Sequence, residues 1–284
     1  MRKVLVISDI HLRSKKRNII GLDPLRQFTE ALSHALKKHP DAEHMILIGD
    51  MTHSGHVSEY EMLKRATNTY KIPITFMLGN HDNRSNFKKV FPEIPLDNEG
   101  YLQKKISLGD DVLICLDTLN SSPQLEIEHE GKLCEKRLEW LEQELSQAKN
   151  KRISIFTHHP PHNIGFPGMD KIKLSNSADL FNIIKKYKNT KHIFSGHVHR
   201  SISGNTNGIG FTIFKSACTF TIFKSTCHQM PMDLLSLDSS LSVKEPAAYG
   251  IVLFDDQSII AHTEDYQIAK QADPSNLDAI PDKL

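Results

Sequence analysis

Five short apolar runs, each ending in a cluster of polar side chains, constrain this chain more than any other feature of it. Residues 4–7 lead into Asp9 and His11, residues 45–48 into Gly49-Asp50, and residues 74–78 into Gly79-Asn80-His81-Asp82. Residues 153–156 lead into His158-His159, and Ile193-Phe194 into Gly196-His197-Val198-His199. Continuous apolar runs of this length suit strands buried on both faces; a half-wet strand would alternate instead. Between them lie amphipathic stretches. Pro24–Lys38 places Leu25, Phe28, Leu32 and Leu36 three or four residues apart, and 59–70, 133–148 and 178–187 behave alike. Strands alternating with helices predict an α/β fold. In such sheets ligands gather at the carboxyl ends of strands, so the five clusters are expected to meet at one rim.

After Arg200 the pattern changes. Short strands are expected at 202–205, 210–214, 220–224, 250–254 and 258–263, with no helices between them. Residues 201–284 therefore read as a strand-rich completion of the domain whose core is 1–200. Within this part, residues 211–219 (FTIFKSACT) are nearly repeated by 220–228 (FTIFKSTCH), with seven of nine positions matching. A slipped duplication that lengthened a strand or hairpin explains the repeat. Its odd length would invert the strand's face pattern, so a turn is expected between the copies. The last dozen residues, with Pro274, Asn276 and Pro281, read as a loose tail.

Composition narrows the partners. At 284 residues and 39% hydrophobic content the chain has material for one sizeable core. A formal net charge of +1 argues against a stable nucleic-acid partner, which calls for a basic excess. Met1-Arg2-Lys3 precedes an apolar run of only four residues, too short for a signal core or a membrane span. No amphipathic membrane helix stands out, so no membrane partner is expected. Cys115, Cys134, Cys218 and Cys227 are scattered without a CxxC pair, which fits free thiols in a reducing cytoplasm.

Sixteen histidines is a high count for this length, and their placement gives it meaning. Asp9, His11, Asp50, Asn80, His158, His197 and His199 offer carboxylate, imidazole and amide donors and no thiolate. That mixture suits borderline divalent metals such as Mn, Fe, Zn or Co. Seven ligands are too many for one ion and natural for two, with Asp50 placed to bridge metals ~3.5–4 Å apart. Two such ions lower the pKa of a bridging water toward ~7 and bind phosphate oxygens. His81 beside them would protonate a leaving alkoxide or stabilise a phosphoryl oxygen, while Asp82 orients it. Taken singly the motifs are weak, since Gly-Asp commonly makes turns. All five together, in this order and each after an apolar run, point to a dimetal hydrolase.

The series Asp9-x-His11, Gly49-Asp50, Gly79-Asn80-His81-Asp82, His158-His159-Pro160-Pro161 and Gly196-His197-x-His199 resembles the calcineurin-like metallophosphoesterase superfamily over roughly residues 1–200. The resemblance implies a four-layer sandwich, two stacked mixed β-sheets flanked by helices. It implies that Asp9, His11, Asp50 and His199 hold one metal, that Asp50, Asn80, His158 and His197 hold the second, and that His81 is the catalytic histidine. The first histidine of the His158-His159 pair matches the ligand position, and His159 reads as a neighbour that packs or orients. The short Asp9-to-Asp50 spacing, the Thr157-His158-His159-Pro160-Pro161 segment and the stretches 225–229 and 245–250 resemble the class III cyclic nucleotide phosphodiesterases and their glycerophosphodiesterase relatives. A small phosphodiester, either a 3′,5′-cyclic nucleotide or a glycerophosphodiester, is the substrate this implies. A scaffold on the same fold is the rival from another class; phosphomonoesterase, nucleotide-sugar pyrophosphatase and nuclease are rivals among enzymes. A scaffold would show lost ligands, and here every position is filled. His53, His56, His162 and His228 stand as further pocket candidates, and the strand-rich end offers a surface for a homo-oligomer.

Overall fold

The computed structural model describes residues 1–14, 23–121, 127, 129–217, 231–232, 234–238 and 246–267. The chain runs through β1 (Arg2–Ile7), α1 (Pro24–Lys38), β2 (His44–Ile48), α2 (Val57–Thr67), β3 (Ile74–Met77), α3 (Arg84–Val90), β4 (Lys104–Leu108), β5 (Asp111–Leu116) and α4 (Glu135–Gln147). It continues through β6 (Arg152–Thr157), α5 (Pro167–Lys171), α6 (Ser177–Ile184), β7 (Thr190–Ser195), β8 (Ile202–Thr206), β9 (Ile209–Ile213), β10 (Tyr249–Phe254) and β11 (Ile259–Glu264).

Two mixed sheets result. One has the order β11-β10-β1-β2-β3, the other β4-β5-β6-β7-β9-β8. Strands β1, β2 and β3 pair in parallel, as do β5, β6, β7 and β9, while β10, β11, β4 and β8 join antiparallel. The period-two alternation of side chains explains the layering. Val4 and Val6 of β1, with Ile46 and Ile48 of β2, face Phe156 and Phe194 of the other sheet in a core between the sheets. Leu5, Ile7, Met45 and Leu47 point the opposite way, onto Phe28 and Leu32 of α1 and Leu63 of α2. On the far side, Ile114, Leu116, Ile153 and Ile155 pack on Leu141 and Leu145 of α4 and Leu180 of α6. The order is helices, sheet, sheet, helices: the four-layer α/β sandwich expected.

Helix α1 occupies the stretch read from the sequence. Asp23 caps it by accepting from the Leu25 and Arg26 amides, Pro24 opens it, and Lys37 and Lys38 sit in its last turn, where the helix dipole favours cations. Helices α3 and α5 were not expected; at seven and five residues they are too short to show a periodic pattern. Strands β4 and β5 were also missed, although the buried run of β5 leads into Asp117. Beyond Arg200, β8 and β9 form a hairpin whose turn residues, Asn207 and Gly208, have φ of 55° and 82°, the left-handed pair a two-residue turn needs. The expected strand 220–224, the second repeat copy and the last dozen residues lie outside the described residues. No helix among the described residues is long and apolar enough to cross a membrane.

Candidate metal centre

The loops that follow β1, β2 and β7 leave their strands through an unusual backbone. Asp9, His11, Asp50, His197 and His199 have φ of 53°, 49°, 47°, 69° and 56°, in the left-handed region that non-glycine residues avoid. Each such residue costs of order 1–3 kcal/mol and persists only where its surroundings over-determine it. Here the loops hydrogen-bond each other: the Asp9 amide donates to the Gly49 carbonyl (3.2 Å), that of His11 to Asp50 (2.8 Å), and that of Gly196 to His158 (3.1 Å). Two motif glycines make room. A Cβ on Gly49 would lie 2.3 Å from His158 Nδ1, and one on Gly79 would lie 2.2 Å from Asp50 Oδ1.

Two groups of donors result. In the first, one ligating atom from each of Asp9, His11, Asp50 and His199 lies within 4.8 Å of the others, and all four residues are buried. His199 Nε2 stands 3.2 Å from Asp9 Oδ1 and 3.2 Å from His11 Nε2. Ser8 Oγ and the His197 amide donate to the Asp9 carboxylate and fix its rotamer. In the second group, His158 Nδ1–H donates to the Ile48 carbonyl (2.9 Å), which turns Nε2 toward Asn80 Oδ1 at 3.2 Å. His197 joins it with a ring nitrogen that is buried and has no hydrogen-bond partner. Asp50 touches both groups through one atom: Oδ2 lies 3.6 Å from His11 Nε2 and 3.4 Å from His158 Nε2, while Oδ1 accepts from the His81 amide at 2.8 Å.

The charge pattern suits cations. Burial by itself would raise the Asp50 carboxyl, yet the imidazoles of His158, His81 and His11 hold it well below the usual range, so it stays ionised. Burial holds His11 and His197 neutral, with lone pairs to give. His158 moves the other way, against its burial: Asp50 beside it raises it to about 9, so a proton stands on the edge that faces the carboxylate. A divalent cation would displace that proton. Orphaned imidazole nitrogens, carboxylate oxygens and an amide oxygen together fit a pair of divalent ions.

His81 lies at the rim, partly open to solvent. Its Nδ1–H donates to the His53 carbonyl (2.9 Å), which fixes the plane of the ring. Asp82 does not take the place expected of it. Its carboxylate accepts from the Gly79, Met51 and Thr52 amides, the Thr52 hydroxyl and the Tyr60 hydroxyl, all within 3.1 Å, so it staples the β2 and β3 loops together. The orienting of the His81 ring falls to a backbone carbonyl, an acceptor that residue types do not reveal. Burial foremost, with the charge of Asp50 behind it, raises Asp82 to about 6.

The other histidines separate by environment. His159 packs as a neighbour of His158, hydrogen-bonded through Nδ1 to the Thr118 hydroxyl (2.7 Å), and it also brings a ring nitrogen into the His158–His197 group. His53 is buried against His81, rings stacked 5.5 Å apart. His56 is exposed and begins α2. His162 is buried and packs tilted against Phe211, both ring nitrogens lacking a partner. His228 lies outside the described residues. One residue the sequence reading passed over is His129, with φ of 70°. It stacks on His81 (5.1 Å) and accepts from Asn80 Nδ2 (3.0 Å), which turns the amide oxygen toward His158. The only signal was a histidine two residues before Gly131, where any Cβ would meet His159 at 2.4 Å.

A donor set for two cations, gathered at the carboxyl rim of a four-layer sandwich, defines a class: metal-dependent hydrolases of phosphoric esters. Comparison with known proteins agrees. The calcineurin-like phosphoesterase family profile matches residues 2–201. A probable cyclic nucleotide phosphodiesterase of Rhodopseudomonas palustris is 34% identical over 92% of this chain and 91% of its own. A probable glycerophosphodiester phosphodiesterase of Arcobacter nitrofigilis is 29% identical over 92% of each chain. Among solved structures, a dimetal phosphatase from Danio rerio shares the fold at a TM-score of 0.69 and 12% identity, covering 92% of this chain and 95% of its own. The chain belongs to the calcineurin-like phosphoesterase family.

Proposed function

We propose that the protein hydrolyses small phosphodiesters, 3′,5′-cyclic nucleotides or glycerophosphodiesters, with two divalent cations drawn from Mn, Fe, Zn and Co. In this reading Asp9, His11, Asp50 and His199 hold one cation, and Asp50, Asn80, His158 and His197 hold the other. The observation that carries it is the single Asp50 oxygen standing 3.6 Å and 3.4 Å from a histidine of each group. Bound there, the two cations lower the pKa of water and offset the charge that builds on a phosphoryl group. The protein's own residues supply the rest. With Nδ1–H committed to the His53 carbonyl, His81 in its imidazolium form would present Nε2–H to the ester oxygen and donate that proton as the P–O bond breaks, leaving the neutral ring. His129 keeps the Asn80 amide from flipping. Asp82 holds the β2 and β3 loops in register, so that Asp50 and Asn80 keep their spacing.

The names of the relatives support a diester: one is called a cyclic nucleotide phosphodiesterase and another a glycerophosphodiester phosphodiesterase. We read residues 201–284 as completing the same domain, since β8 to β11 join the two sheets, and we place the protein in the cytoplasm. A panel of cyclic AMP, glycerophosphocholine and p-nitrophenyl phosphate, presented to protein stripped by chelation and reloaded with Mn2+, tests the reading. Turnover of a diester well above the monoester is expected, and it should vanish on stripping. Hydrolysis indifferent to every divalent metal would overturn it.

A further inference from the structure

The four ligands assigned to the second cation leave His159 without a task, yet its ring stands among them. One ring nitrogen each from His158, His159 and His197 lies within 4.8 Å of the other two, and all three residues are buried. Ring centroids are 4.9 Å apart for His158–His159, 4.7 Å for His159–His197 and 5.1 Å for His158–His197. The His159 ring is held on one edge only: Nδ1 stands 2.7 Å from the Thr118 hydroxyl, while Nε2 is buried and has no hydrogen-bond partner. A ring that merely filled space would be better replaced by phenylalanine or leucine, since stranding a polar nitrogen in the interior costs stability. The chain also clears room for this ring. Gly131 lies outside the left-handed region, so its missing side chain serves space alone; a Cβ there would meet His159 Cγ at 2.4 Å and Nδ1 at 2.6 Å.

We propose that His159 Nε2 is a further ligand of the second cation, beside Asp50, Asn80, His158 and His197. The proposal rests on the two-cation reading of the centre. Metal-bound histidines as a rule donate their other ring N–H to a fixed acceptor, which sets the tautomer and turns the lone pair toward the ion. His158 is held in that way, with Nδ1–H on the Ile48 carbonyl at 2.9 Å. Thr118 Oγ1 is the matching acceptor for His159 Nδ1–H, and the single lone pair of the neutral ring then stands on Nε2, committed to one cation. The two sites differ in chemistry as a result. The first offers the carboxylates of Asp9 and Asp50 with the imidazoles of His11 and His199. The second gains a third imidazole and keeps only the shared carboxylate and the Asn80 oxygen. Imidazole suits zinc and iron whereas carboxylate suits manganese, so the second site is the one that prefers a zinc-like ion.

Nuclear magnetic resonance of the full chain, its histidines labelled with the heavy nitrogen isotope and its sites loaded with a magnetic isotope of Cd2+ in place of zinc, provides the test. A scalar coupling to cadmium passes only through a metal–nitrogen bond, and it is expected for one ring nitrogen of His158, His159 and His197 alike. Coupling at His158 and His197 with none at His159 overturns this proposal alone, whereas none at any of the three sinks the two-cation reading with it. His159→Gln assigns the signal by its loss; if that variant does not fold, Thr118→Val assigns it by moving the Nδ1 resonance of the same ring. Equilibrium dialysis against Zn2+ gives a second readout. His159→Gln should bind one equivalent about tenfold or more weakly than wild type and hold the other as tightly, because even a residue that only supports a metal ligand contributes about 10–100-fold. Unchanged dissociation constants, or equal weakening of both equivalents, in a folded variant overturn the proposal.

Discussion

Asp50 Oδ2 is the one atom that both donor groups of the centre share, and removing it affects both. Loss of a partner outside the ligand shell typically costs 10–100-fold in affinity or activity. Asp50→Ala is therefore expected to lose more than ~100-fold in turnover and to bind less metal than wild type, by metal analysis. An equal loss on Asp9→Ala would count against a bridging role. His81→Ala is expected to keep its metal while turnover falls by about 10²–10⁴-fold, the usual contribution of a positioned proton donor. A metal-free His81→Ala would make His81 a ligand. At this scale the sequence showed which side chains have donor atoms, since that is a property of residue type. It did not show where Asp82 or His129 points, because a carboxylate three residues after a glycine serves equally as an orienter or as a staple. Only the amides of Gly79, Met51 and Thr52 around it decide.

Among the elements, the loops that follow the strands are built to close on one another, and their glycines mark where. Gly79→Ala would push a methyl group to 2.2 Å from Asp50 Oδ1 and 2.7 Å from His158 Cε1. Both strands should form, while metal retention should fall; metal analysis beside far-ultraviolet circular dichroism separates the two. A second tie holds the loop after β5. Arg84 at the start of α3 forks onto the fully buried Asp117 (2.8 and 2.9 Å), and Arg137 of α4 donates to the Asp117 and Leu119 carbonyls. Asp117→Ala leaves a guanidinium without its carboxylate and should cost about 3–5 kcal/mol in urea denaturation. Breaking the exposed Lys151–Asp110 pair should leave the urea midpoint nearly unchanged, because water screens it. The periodic helices and buried strands were legible because burial on a regular element repeats at 3.6 or 2 residues. Helices α3 and α5 and the hairpin of β4 and β5 were not, because one or two turns, or a single run, give no period to read.

Across the whole molecule, stability should weaken in acid even without metal. His44 is buried and His192 half-buried, hydrogen-bonded to Thr75 and Thr212, and desolvation lowers each to about 4. In the unfolded chain each takes up a proton near its ordinary value of about 6.5. Between those limits the unfolded state binds more protons, so stability falls as pH drops from 6.5 toward 4 and is fully present above that window. Thermal melts of chelator-treated protein at pH 7 and pH 4.5 should show the loss. The double variant His44→Gln, His192→Gln should show a shallower one, and an unchanged slope would assign the acid sensitivity to other groups.

What the sequence by itself determined is the alternation of buried strands with amphipathic helices and the supply of metal-capable side chains at strand ends. Both follow from local chemistry, residue type and short-range periodicity. Only the tertiary structure decided which of those side chains meet. His11 and His199 are 188 positions apart, yet their Nε2 atoms come to 3.2 Å because two sheets stack with their carboxyl ends on one edge. The same stacking sets Asp50 between the two groups and brings His53 and His129 each into stacking contact with His81. Such distances depend on how sheets twist and pack, a property of the assembled core that no window of sequence contains.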